Sequence, residues 1–489
     1  MAKLLVRGIL LVSLIAIIGT LGYAEEWTIY GPRAMGMGGT GVAVADGATA
    51  SYWNPAAITL NSKIGLYLPF GTTISAEGEI LNQVDTVFNS IESSNWSSIS
   101  AKMNAGTMLS LDETRAALDL FVNKIPKMNE PGQGLLYNLT AGATITLGEF
   151  GIFANFLTDA AFDPSVSLNE NMSFNAAGGA AAVFNMVGNG NDRSGAFTNP
   201  ASQGLANSIA TIFTTAGTAV PQDQAEELIY QAELAGVDTS DPELQNLLVT
   251  IASATAGTGG NVSMNASGIT LSGIVLKEIG ITYGWKFMEN KLSLGGNLKM
   301  MQGETFYKFY RFDNMPEGDD LTSDITGKNN VKKTTNFGLD LGALYSLTDN
   351  MKVGLTGRNL NSPKFDWKGP GDIKLGSQLR AGVAYQFPVV LLAADYDLNK
   401  NESDILQGYE SQMYGLGAEF NLWLLKLRAG LYKNQASKES GSVYTFGTSL
   451  NLLLLDLDLA GAMSTDEVDI GDDEIKERYS IGLGLSFRF

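Results

Sequence analysis

Cysteine and histidine are both missing from the 489 residues. Their absence excludes disulfides, thiol catalysis, imidazole general bases and the common zinc sites. Positive charge is scarce: 32 Lys and Arg stand against 51 Asp and Glu, a net charge of −19. A phosphate backbone wants a positive surface, so nucleic acid is not an expected partner. Acidic surfaces serve solubility and weak cation association. No cofactor is expected. Long hydrophobic runs are also missing beyond the first 24 residues. The most apolar later piece, FNLWLLKLRAGLY, is broken by Lys426 and Arg428. The mature chain therefore either leaves the membrane or crosses it as strands. It is long enough for two soluble domains or one large barrel.

The first residues read MAKLLVRGILLVSLIAIIGTLGYA. Lys3 and Arg7 make a basic start, Gly8 to Leu21 an apolar run, and Ala24 a small residue at the end. This is the pattern of a secretory signal peptide over 1–24. The competing reading is a retained anchor, but the run is short of the roughly 20 residues a spanning helix needs.

What the chain has in quantity is period-two alternation. In YSIGLGLSFRF, Ile481, Leu483, Leu485, Phe487 and Phe489 share one face, and Ser480, Gly482, Gly484, Ser486 and Arg488 the other. Successive side chains of a strand point to opposite sides, so this is a strand. NFGLDLGALY, MKVGLTGR, LKLRAGLY and LLLDLDLA repeat the pattern, and ITYGWKF, KLSLGGNLKM, RAGVAYQF, LLAADYDL and YGLGAEF are further candidates. Glu289-Asn290 and Thr348-Asp349-Asn350 are short polar turns of the kind antiparallel hairpins use. With 61–71, 135–147 and 151–159 the count is about 12 to 16 strands, and a transmembrane strand needs only about 9–11 residues. A soluble sandwich would carry a richly charged second face. Here that face is mostly Gly, Ser, Thr and Asn, which suits a crowded lumen. The expected fold is all-β: an antiparallel transmembrane barrel of about 14 strands, spanning 61–489. Its lipid face would be apolar. Asp340, Lys352, Arg358, Lys426, Arg428, Asp456, Asp458 and Arg488 would then be lumen charges, since charge facing lipid is costly.

Two stretches break the rhythm, at about 75–133 and 165–262. LNQVDTVFNSI and LDETRAALDLFVNKI have helical spacing, and so do DQAEELIYQAELAGVD and DPELQNLLVTIASATAG, with Gly236 and Gly257 as stops. The stretch 177–182 reads equally as wall or as packed helix. If the N-terminus is periplasmic and 61–71 runs outward, both inserts lie on the outer side. The acidic run 466–477 would be an outer loop. It lacks the fixed spacing of a calcium loop, so no metal is expected there.

Residues 31–58, GPRAMGMGGTGVAVADGATASYWNPAAI, hold the densest glycine cluster. No Lys follows the glycines as a phosphate loop requires, and the order is not that of a dinucleotide fingerprint. A compact segment folded against or inside a barrel mouth fits better, because glycine allows close approach and positive φ. Asn54 can cap a turn that Pro55 then fixes. Arg33 has two candidate partners, Asp46 or a lumen carboxylate. Met35 and Met37 are candidate ligand contacts, methionine being adaptable to irregular shapes.

The run RAMGMGGTGVAVADGATASYWNPAA resembles the opening of the FadL/TodX-like outer-membrane transport proteins. It is closer still to the conjugal-transfer TraF-like barrel proteins, a likeness that extends through VLKEIGITYGWKF and NLKMMQGETFY. The resemblance implies a barrel in the outer membrane, with residues 25–60 as an N-terminal hatch. It implies a gating role for Asn54, Pro55 and Ala56, with Arg33, Gly36, Gly38 and Gly39 beside them. It implies passive uptake of small hydrophobic molecules such as long-chain fatty acids. The alternative is a structural or secretion- and conjugation-associated protein that recruits partners through its large loops. An enzyme would need a Ser-Lys or paired-carboxylate site. Asp456 and Asp458 face the same way, but lumen charge is carried in the same pattern, and no catalytic residue is expected.

Overall fold

The computed structural model describes residues 26–489 except 61–63, 96–97, 100, 103–109, 125, 166–189, 216–220, 243–244, 246–267, 312–326, 328–329, 438–439, 453, 471–472 and 489. The signal-peptide reading of 1–24, the stretch 177–182, the stop at Gly257 and most of the helix expected from Asp241 lie outside the described residues.

Fourteen antiparallel strands close into one barrel. The first six are β1 (Ile64–Glu77), β2 (Gly134–Leu147), β3 (Phe150–Ser165), β4 (Gly268–Phe287), β5 (Leu292–Arg311) and β6 (Val331–Ser346). β7 (Met351–Arg358) is followed by a small hairpin, β8 (Lys364–Asp366) and β9 (Asp372–Lys374), and then the wall resumes with β10 (Gln378–Gln386) and β11 (Val390–Asp397). A second hairpin, β12 (Asn401–Glu402) and β13 (Glu410–Ser411), precedes β14 (Met413–Leu422), β15 (Leu425–Asn434), β16 (Val443–Leu452) and β17 (Leu455–Ser464). A third, β18 (Glu467–Ile470) and β19 (Asp473–Lys476), precedes the last strand, β20 (Arg478–Arg488). β20 pairs with β1, with Tyr67 opposite Ser486 and Gly71 opposite Gly482, and this closes the wall.

The register keeps one parity round the whole circuit. Asn297 faces Asp340, Gly354 faces Gly382, and Glu419 faces Arg428. One set of side chains therefore points inward on every strand. The other set is the apolar one: Ile279, Ile281, Phe337, Leu416, Phe446, Leu459, Ile481 and Leu483 are all exposed on the outside. In water this belt would be unstable; around a closed barrel with no free edge it is the lipid-facing band.

The connections sort by end. Short turns follow β2, β4, β6, β10, β14 and β16, whereas the long connections follow β1, β3, β5, β7, β11, β15 and β17. Both inserts are thus at the long-loop end, the outer one in barrels of this kind. They carry the helices Ile80–Ser93, Leu111–Leu118, Pro200–Thr215 and Gln222–Leu234. Ser110 accepts from the Glu113 amide, and the Glu113 carboxylate accepts from the Ser110 amide, a capping box that starts the second helix. Gly236 ends the fourth at φ +83°.

Several boundaries differ from expectation. β1 starts at Ile64 and continues past Gly71 to Glu77, and β3 runs on to Ser165, because small and polar residues there blur the alternation in the sequence. β16 and the helix Pro200–Thr215 had no expected counterpart: the first carries Thr and Ser on its inner face, and the second mixes Thr, Ser and Ala with its apolar residues. The strand expected from Leu453 starts at Leu455. The acidic run is not wholly loop. β18 and β19 pair within it, Glu467 opposite Lys476.

Candidate functional site

The inside of the barrel is filled. Residues 26–60 enter the lumen as short turns of helix, Pro32–Gly36, Gly47–Thr49, Ala50–Trp53 and Pro55–Leu60. Aromatic stacking gives the segment a core of its own. Tyr30 lies 4.3 Å from Tyr52, and Trp27 6.2 Å from Trp53, ring centre to ring centre. The Trp53 indole donates to the Tyr30 carbonyl at 2.9 Å, and the Tyr52 hydroxyl to the Thr28 carbonyl at 2.7 Å.

The wall is shaped to receive it. The inward positions of β14 to β16 nearest the segment are glycines. A Cβ at Gly415 would sit 2.0 Å from the Gly38 carbonyl oxygen, and one at Gly447 3.1 Å from the Gly36 Cα. Across the lumen, a Cβ at Gly295 would sit 2.4 Å from the Pro55 oxygen. The small inner residues of the strands are thus the mould of residues 26–60.

Polar ties hold the two together. The Asn54 amide donates to the Val42 carbonyl at 3.0 Å and to the Ala343 carbonyl of β6 at 3.1 Å, while its oxygen accepts from the Ala56 amide. Asn54 so joins three pieces of backbone, two in the segment and one in the wall. Pro55 and Ala56 are buried beside it. The Gly41 and Val42 amides donate to Asp395 at 2.7 and 2.9 Å, and the Gly38 amide to the Thr445 hydroxyl at 2.9 Å.

Arg33 reaches both of its candidate partners. Its guanidinium clamps Glu419 at 3.1 and 3.0 Å, touches Asp46 at 3.4 Å and donates to the Val44 carbonyl. Burial opposes the Arg33 charge, but Glu419 and Asp46 outweigh it and hold the group above its ordinary pKa. Glu419 also accepts from Arg428 at 2.7 Å, and Arg428 donates to Asp458 at 2.8 Å. This four-residue chain links segment, β14, β15 and β17. Higher up, Lys299 lies between Glu278 at 2.9 Å and Asp340 at 3.2 Å. The Arg358 guanidinium stacks 3.9 Å from the Tyr52 ring centre, and Arg380, paired with Asp397, lies 4.7 Å from Trp27.

Asp340, Arg358, Arg428 and Asp456 are buried on the inner face, and Lys352, Lys426 and Asp458 are half-buried there. Arg488 belongs to β20, but its side chain lies outside the described residues. Met35 packs over Gly71 and Gly482, and Met37 over Gly417. Gly39 lies against Ile29. Five ion-pair members, Glu278, Lys299, Arg380, Asp397 and Glu419, were not singled out by sequence. Each occupies an inward position of a glycine- or polar-alternating strand, so the parity rule would have found them.

Above the segment, two outer connections fold into the mouth. Phe365 packs under Gly303, the Ser272 hydroxyl donates to the Ile405 carbonyl at 2.8 Å, and Leu406 lies against Gly134. Trp367, Ile373, Leu375 and Tyr409 join them in one buried apolar cluster continuous with Trp27, Tyr52 and Ile58. At the inner mouth, a cavity of about 170 Å³ lies between residues 46–49 and Leu60 on one side and Leu66, Tyr67 and Phe487 on the other. Among the described residues no acidic cluster is arranged as a metal site.

A closed barrel with an apolar outer band, short turns at one end and long loops at the other defines an outer-membrane β-barrel protein. The family described as "F plasmid transfer operon, TraF, protein" matches residues 51–397, and the chain belongs to it. No curated protein matches the chain. Among solved structures, the toluene transporter TbuX of Ralstonia pickettii is 12% identical at a TM-score of 0.45, over 94% of this chain and 98% of that one. The toluene transporter TodX of P. putida is 12% identical at 0.45, over 95% and 99%. The monoaromatic hydrocarbon channel CymD is 13% identical at 0.42, over 95% and 99%.

Proposed function

We propose that this protein passes small hydrophobic molecules, long-chain fatty acids among them, across the outer membrane, and that residues 26–60 are the gate. The observation that carries the reading is the apolar column inside the lumen. A pore for polar solutes keeps its interior wet and polar. Here buried aromatic and aliphatic side chains run from Trp27 and Trp53 up to Phe365, Trp367 and Ile405. A greasy ligand needs such a lining with few polar anchors. Asn54 is the gating residue in this reading, because it ties the segment to the wall through one amide. Arg33 holds the gate shut at its inner edge.

The alternative, partner recruitment by the outer inserts, predicts apolar patches on their helices. On the helices Pro200–Thr215 and Gln222–Leu234 the exposed large apolar residue is Leu234, among the described residues. That favours transport.

The test is titration of the mature protein in detergent with a fluorescent long-chain fatty acid, beside Asn54→Ala and a denatured control. Saturable binding displaced by unlabelled hydrophobic compounds is expected. Asn54→Ala should keep the affinity and speed the exchange. No saturable binding by a folded, heat-modifiable barrel would overturn the reading.

A further inference from the structure

The inner turns of the barrel are of two kinds. Those after β2, β4 and β6 set charge beside their exposed apolar residues Leu147, Met288 and Leu347: Glu149, then Glu289 and Lys291, then Asp349. The next three round the circuit do not. They present Phe387 and Val389 after β10, Trp423 and Leu424 after β14, and Leu452 and Leu454 around the turn after β16. All six are 44% to 84% exposed, with Trp423 the highest. β10 to β17 are consecutive in the wall, so the six form one arc.

Trp423 is also placed against its backbone preference. It sits at φ +71° in a tight turn, a conformation glycine or asparagine takes without cost and a bulky ring does not. A turn built only to reverse the chain would not use tryptophan there.

Strand length says what covers the arc. β14, β15, β16 and β17 have 10 residues each. At about 3.3 Å per residue and a tilt near 40°, such a strand rises about 25 Å, the height of the apolar band itself. No length remains to carry these turns beyond the bilayer into water. The arc is continuous with the lipid-facing side chains Phe420, Leu427, Leu450 and Leu457 of the same strands. Tryptophan at the membrane–water boundary is a common anchor.

We propose that this arc is a lipid-inserted lip. Its three turns sink among the acyl chains and headgroups of the inner-facing leaflet. The barrel therefore stands tilted, deeper on the β10–β17 side than at the charged turns of β2–β7.

Because the chain has no cysteine, single reporter sites are clean. Trp423→Cys, Val389→Cys and Glu289→Cys would each be labelled with one fluorophore in the full mature chain. Heat-modifiability would establish folding, and nanodiscs would leave both faces open to solvent. Nitroxide-bearing phospholipid should quench probes 423 and 389 several-fold more than probe 289, and iodide should show the opposite order. Val389→Cys keeps Trp423 in place, so agreement between the two shows that the arc, not one side chain, is immersed. Equal access of iodide to all three would overturn the proposal. So would probes 423 and 389 shielded from iodide yet unquenched by lipid, since protein, a second copy or a partner, would then cover the arc.

Discussion

Gly38 shows how closely the lumen segment and the wall are fitted. Its φ is +65°, and a Cβ there would stand 2.3 Å from the Leu416 carbonyl and 2.4 Å from that of Leu431. Gly148, in the turn after β2, has the same φ with nothing within 4 Å. Two alanine substitutions separate the two effects. Gly148→Ala should cost about 1 kcal/mol, the left-handed backbone alone. Gly38→Ala should cost about 1–3 kcal/mol more, because wall carbonyls cannot move aside. The measurement is the midpoint of heat-modifiability, with protease access to 26–60 as a second readout. Equal losses would contradict the contact. The glycine cluster was legible as a site of close backbone approach. Which glycine meets which strand was not, since that depends on contacts hundreds of residues apart.

The elements show a division between wall and rim. Wall strands other than β16 were readable because alternation is local, and a hairpin turn leaves its mark in sequence. The rim was not. β18 and β19 lie in a stretch whose acidity suggested plain loop, and the hairpin shows only when its pairing is seen. Glu477, just beyond it, is pushed up to about 7 by burial and then by Asp466, Glu77 and Glu79. A carboxyl raised in the fold favours the folded rim while protonated. That contribution is complete below about 4.5, its usual value, and is lost as pH rises through about 7. Hydrogen exchange over 465–477, corrected for intrinsic rate, should therefore be faster at pH 8 than at pH 5. Glu477→Gln should remove most of the difference. A pH dependence unchanged in that variant would assign it elsewhere.

At the scale of the whole molecule, residues 26–60 and the connections around Phe365 and Ile405 share one buried cluster inside the wall, and the gate proposed above would close the lumen from below. In planar bilayers the wild type should therefore be almost silent. Arg33→Ala combined with Asn54→Ala removes the clamp on Glu419 and the tie to Ala343, and should give bursts of conductance. Arg428 still neutralises Glu419 in that variant, so the wall itself should hold. Buried ion pairs that lose one partner cost about 3–5 kcal/mol, so Arg428→Ala would test the barrel rather than the gate. A silent double variant would make the segment a permanent part of the core.

The sequence by itself determined the wall: antiparallel strands, which face meets lipid, and where the inserts interrupt. Those follow from side-chain alternation and turn chemistry, which act over a few residues. Only the tertiary structure decided which partners the N-terminal segment and the outer connections meet inside the barrel. Arg33 meets a glutamate 386 positions away, and two outer connections turn inward rather than out. Such partners are chosen by closure of the wall and by packing within it, and no local pattern encodes that choice.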